Sequence, residues 1–86
     1  MMNPKQKVFL VDWIDSCGQE GWISKDNLQV HATMCQTIGF LVGETDEAIA
    51  LALNRSTMGE GYRPYGEIIC IPKVAIKKMR QLKVDL

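Results

Sequence analysis

The chain has 86 residues, 47% of them apolar and 23% charged. That defines a single domain, 1–86, with a modest core that buries ~60–65% of the unfolded surface, and it excludes both intrinsic disorder and a membrane span. Formal charge is zero but unevenly placed: Lys73, Lys77, Lys78, Arg80 and Lys83 stand together with no acid among them, while acids outnumber bases over residues 1–72. An electrically two-sided chain of this size suits a homo-oligomer, in which one protomer's basic edge meets its neighbour's acidic one or a ring is lined by one sign of charge.

The opening MMNPKQK has no apolar segment of signal-peptide length behind it, so no export signal is read. Cys17, Cys35 and Cys70 are odd in number and widely spaced, which suits reduced thiols and points to a cytoplasmic setting without a membrane. Cys70, inside GEIICIP, reads as strand core.

In chain order, KVFLVDWIDS alternates with period two, with Phe9, Val11 and Trp13 on one face and Val8, Leu10 and Ile14 on the other. A strand apolar on both faces is covered on both, the second time by an outer layer or another subunit. CGQEG breaks it and Trp22 follows at a loop exit, divided evenly between packing and a half-exposed rim. SKDNLQ offers one helical turn capped by Ser24, or a plain loop. TMCQTIGFLVGETDE reads as a strand through Val42 in which Gly39 marks a bulge or sharp bend.

GETDE is a turn, and EAIALALN sets Ile49, Leu51 and Leu53 opposite Ala48, Ala50 and Ala52. Alanine and leucine favour helix, but the large residues fall at every second position, which selects a strand. NRSTMGEGYRPYG is the longest loop of this reading, before EIICI gives another strand. Pro72 stops it, because proline cannot donate a ladder hydrogen bond. PKVA forms a tight turn, and Ile76, Met79 and Leu82 then recur every third residue, which fits a short helix and a bent final strand equally.

The expected fold is therefore mainly β, a small SH3-like or Sm-like barrel of about five short strands with a short turn or helix near the C-terminus. VFLVDWIDS, GW, IGFLVGE, AIALA and IICIPKVAIKKMRQL together resemble short, uncharacterised bacteriophage and bacterial proteins with an Sm-like or SH3-like barrel. The resemblance spans residues 8–82 and implies an accessory role, such as sequestering a host signal nucleotide. It departs from RNA-binding Sm proteins. The Tyr-Lys-His signature of the Hfq type is replaced here by Pro72, Lys73 and Val74, and the Asp and Asn of eukaryotic Sm turns by Glu44, Thr45, Asp46 and Glu47. An RNA pocket does not carry over residue by residue.

Catalytic chemistry finds little footing. His31 is the sole histidine, and HATMCQ contains no nucleophile elbow, so His31 reads as an exposed loop residue. With Cys17, Cys35 and Cys70 it lacks the close ligand pairs of structural zinc. Asp12 and Asp15, three apart in a strand, project to opposite faces, and Asp46 and Glu47 are turn acids. GEGYRPYG lacks the Lys and Ser or Thr of a phosphate loop. No metal, cofactor or enzymatic activity is therefore expected.

What the sequence does offer is binding chemistry. Tyr62, Arg63 and Tyr65 combine rings and a guanidinium suited to stacking on bases, and Lys73, Lys77, Lys78 and Arg80 suit phosphate. The expectation is a non-catalytic, homo-oligomeric module for a nucleotide or nucleic acid, with subunit contacts from the doubly apolar first strand. The alternative is a structural or protein-interaction component, a phage assembly part or an inhibitor of a host protein, anchored by Trp22 and the loop.

Overall fold

The computed structural model describes residues 6–56 and 64–85. Five strands form one antiparallel sheet: β1 (Val8–Asp15), β2 (Thr33–Glu44), β3 (Ala48–Arg55), β4 (Tyr65–Pro72) and β5 (Ile76–Leu82), in the spatial order β4-β3-β2-β1-β5. The alternating segments expected to be strands are strands, and residues 48–55 are not helical. The final segment resolves to a strand as well. Two 3-10 turns complete the described structure, Lys25–Asn27 and Lys73–Ala75. Ser24 does precede the first, but its side chain makes no capping bond. No helix among the described residues is long and apolar enough to cross a membrane.

The sheet is curled. Neighbouring strands lie ~4.8 Å apart, so in a flat sheet β4 and β5 would be separated by about 19 Å. The link from Pro72 to Ile76 reaches at most about 14 Å. It is also pinned at its start, where the Lys73 N–H donates to the Glu47 carbonyl at 2.8 Å. β4 and β5 must therefore swing toward each other around the inner face, yet they do not pair. They are the two edges of an open sheet.

The core shows the same curl. Val11 and Trp13 of β1 cluster with Ile49 and Leu51 of β3 and Ile71 of β4, and Phe9, Leu41, Ile69 and Met79 pack against them. β1 and β3 are not neighbours in the sheet, so they touch only because the sheet wraps over itself. Gly39 permits this. Its place in the β1–β2 ladder, opposite Phe9, is regular, and the bulge expected there lies instead between Leu41 and Gly43, on the β3 side. Gly39 is needed for close approach: an added Cβ would meet the Ala52 carbonyl oxygen at 2.8 Å.

Register corrects several side-chain expectations. Residues paired across a ladder share a face, so Ile71 with Ile49 and Ile69 with Leu51 point inward, while Cys70 with Ala50 and Ile68 with Ala52 point outward. Cys70 is accordingly exposed and not strand core. The period-three pattern of Ile76, Met79 and Leu82 also has a cause. A register shift against Asp12 and Trp13 inserts an extra β5 residue, which lets both Ile76 and Met79 turn to the core.

Candidate functional site

The most exposed apolar chemistry sits on an arm. Between the last β1–β2 pair, Asp15 with Thr33, residues 16–32 leave the sheet, and every one of them is exposed. Trp22 is fully exposed and Val30 is 92% exposed, with Ile23 and Leu28 near half. Two hydrogen bonds hold the limbs of the arm together: the Cys17 thiol donates to the His31 carbonyl at 3.1 Å, and Gln19 Nε2 donates to the Gln29 carbonyl at 3.0 Å. Between the limbs lies an open cleft of about 310 Å³ lined by Cys17, Gln19, Leu28, Gln29, Val30 and His31. The arm has a shape but no core.

The residues expected to bind a ligand are distributed and not gathered. Trp22 is on the arm. Tyr65, expected in a loop, begins β4 opposite Arg55, and its hydroxyl donates to Gln6 Oε1 at 2.6 Å. The same Gln6 oxygen accepts from Arg55 Nη1 at 3.3 Å, and Gln6 Nε2 donates to the Leu41 carbonyl at 3.2 Å. Arg55 also lies over the Phe40 ring at 4.5 Å, a cation–π contact that fixes the guanidinium. Tyr65 is thus built into a polar cluster that ties the chain's start to β3 and β4. Tyr62 and Arg63 lie outside the described residues.

Lys73 is occupied too, in an ion pair with Glu44 across the end of the sheet. Lys77, Lys78 and Arg80 remain together on β5 and are exposed. Lys78 and Arg80 stand opposite Asp12 and Leu10 of β1, on the face away from the core. Lys77 is the extra residue at the register shift between Asp12 and Trp13 and is exposed beside them. Asp12 does not neutralise this cluster by a direct ion pair among the described residues; its Oδ1 accepts from Gln36 Nε2 at 2.7 Å.

Among the described residues, the fold disperses the cysteines. Cys17 and His31 come together on the arm, but Cys35 lies against the core and Cys70 on the outer face of β4. Among the described residues, no group of three or more His, Cys, Asp or Glu side chains could hold a metal ion.

Sequence reasoning missed the length of the arm. It placed the longest loop at residues 54–66, whereas Asn54, Arg55, Tyr65 and Gly66 are strand residues, and residues 16–32 make the longer excursion. The signal was there. Gly18 and Gly21 interrupt a segment in which Trp22, Ile23, Leu28 and Val30 follow neither a two-residue nor a helical period, and Gly21 does adopt positive φ.

Comparison with known protein families, curated proteins and solved structures finds no match for this chain.

Proposed function

We propose that the chain is a non-catalytic protein-interaction module, an SH3-like or Sm-like barrel in miniature, that recognises its partner with the 16–32 arm. The observation that carries this is Trp22, fully exposed at the centre of an arm with no core of its own. An indole buries about 150–250 Å², so docking it gains roughly 4–6 kcal/mol gross at ~25 cal/mol per Å². Leaving it in water gains nothing. The barrel reading is supported by strand order: β1 to β4 run as a meander, and β5 returns to the far side of β1, so only the β4–β5 gap separates the sheet from closure.

The test is a photo-crosslinking residue, benzoylphenylalanine, placed at Trp22 in cells, with the same residue at Asp46 as an exposed control. The arm reading expects protein adducts at 22 and not at 46. Equal labelling at both positions, or none at 22, would remove it.

One observation favours a second reading. Lys77, Lys78 and Arg80 form an exposed cationic group on an edge strand, outside any ion pair among the described residues. In this reading the module takes a phosphate-bearing ligand, a nucleotide or nucleic acid, on β5.

A further inference from the structure

β1 is apolar on both faces: the central core cluster takes Val11 and Trp13 from one, and on the other Val8 alone is buried. On this second face, Ile14 stands beside Met34 and Leu10 beside Ile38. Leu10 and Ile14 are half-buried, while Met34 and Ile38 are 65% and 55% exposed. Between these two rows lie Asp12 and Gln36, hydrogen-bonded to each other, and Lys78 and Arg80 border the face on β5, so two cations there stand against one carboxylate. The arm is complementary to this face in both respects: Trp22, Ile23, Leu28 and Val30 are apolar, and Glu20 and Asp26 outnumber Lys25. Among the described residues, the arm is exposed throughout and Met34 and Ile38 stay open on the face.

We infer that the arm of one copy seats on the outer face of β1, β2 and β5 of a second copy, and that two copies exchange arms about a two-fold axis. The inference rests on the arm being the docking element and names its partner. The root of the arm, at Asp15 and Thr33, lies one row beyond Ile14 and Met34, so each arm leaves its own sheet at the end where the seat begins. A two-fold exchange places Trp22 and Val30 over Met34 and Ile38, and Glu20 and Asp26 toward Lys78 and Arg80. Four apolar side chains on each of two arms, set against four on each of two faces, bury an area on the order of the ~1,200 Å² at which stable interfaces begin. The contact is isologous and closes on itself, leaving no arm unsatisfied.

The experiment uses the full chain. Light scattering and sedimentation equilibrium over a dilution series are expected to show twice the 9.7 kDa chain mass. Trp22→Ser on the arm and Met34→Lys on the seat should each weaken the dimer at least tenfold. Both side chains are exposed, so circular dichroism should be unchanged. Lys78→Glu with Arg80→Glu should weaken it as well, and Glu20→Lys with Asp26→Lys in that background should restore it. With benzoylphenylalanine at Trp22 and an equal mixture of ¹⁴N and ¹⁵N chains, adducts should be isotopically mixed and map to residues 33–38.

A monomer at every concentration, a dimer indifferent to Trp22→Ser, or adducts confined to one isotope would each overturn arm exchange. Loss of arm exchange alone is recognisable: the pure chain is monomeric, yet position 22 crosslinks a different protein in cells. Absence of any adduct at position 22 removes the docking arm itself.

Discussion

The carbonyl oxygen of Ala52 stands 2.8 Å from the place where a Cβ on Gly39 would be. β3 can approach β2 this closely beside the Phe40–Ala52 pair only because residue 39 has no side chain. Gly39→Ala is therefore expected to lower stability by about 1–3 kcal/mol, the usual cost of overpacking against atoms that cannot move aside. Gly43→Ala is the control, since its Cβ would meet only the Ala50 Cβ, at 3.7 Å. Urea unfolding of the two variants should separate them by midpoint at equal slope.

Trp13 is 8% exposed, and its indole Nε1 donates to Thr37 Oγ1 at 3.0 Å across the β1–β2 pair. Removing the acceptor with Thr37→Val leaves a nearly buried donor unsatisfied, at a cost of about 1–3 kcal/mol. Trp13→Phe removes the donor as well as part of the ring. The double variant should be less unstable than the sum of the two single changes, because the bond is lost only once. Additive losses in urea unfolding would show that the bond contributes nothing.

Lys73 and Glu44 form an ion pair at the sheet end with both side chains substantially exposed. Solvent and salt screen such a pair, so Lys73→Ala should change stability by only about 0–1 kcal/mol. The backbone N–H of residue 73, bonded to Glu47, is retained in the variant and keeps the turn in place. A loss well beyond that range in thermal or urea unfolding would mean that the pair holds the link between β4 and β5.

The two tryptophans should report separately. In Trp22→Phe, the remaining Trp13 should emit at short wavelength and resist acrylamide quenching. In Trp13→Phe, Trp22 should emit like indole in water and be quenched freely when the chain is dilute. At concentrations where the arm is seated, its emission should shift to the blue and its quenching fall. An unchanged Trp22 spectrum across the whole range would mean that the arm never leaves water.

The phosphate reading makes its own demand. If β5 binds a nucleotide or nucleic acid, Lys77→Glu with Lys78→Glu should weaken binding of a single-stranded oligonucleotide probe and flatten its salt dependence. Arm variants such as Trp22→Ser should leave that affinity unchanged. Affinity indifferent to the two lysines takes the basic strand out of the functional account.

Local pattern was enough to locate the strands. Period-two alternation in residues 8–15 and 48–55 is dictated by the pleat, which sends neighbouring side chains to opposite faces whatever the partner strand is. Pro72 marked the end of β4 for an equally local reason, its missing N–H. Such pattern cannot say which face is inside. Cys70 and Ile68 look like core in the sequence and point outward, because register with β3 reserved the interior for Ile69 and Ile71. The bulge opposite Asp12 and Trp13 likewise turned a helix-like spacing into a strand.

The candidate site divides the same way. That the chain has a basic segment, a Trp following a glycine and a lone histidine is determined by the sequence alone. That Lys73 is held by Glu44, that Tyr65 is held by Gln6, and that Trp22 stands in solvent on an arm beyond the sheet were decided by the tertiary structure. These contacts join residues far apart in the chain, and only the pairing and curl of the strands bring such residues together or keep them apart.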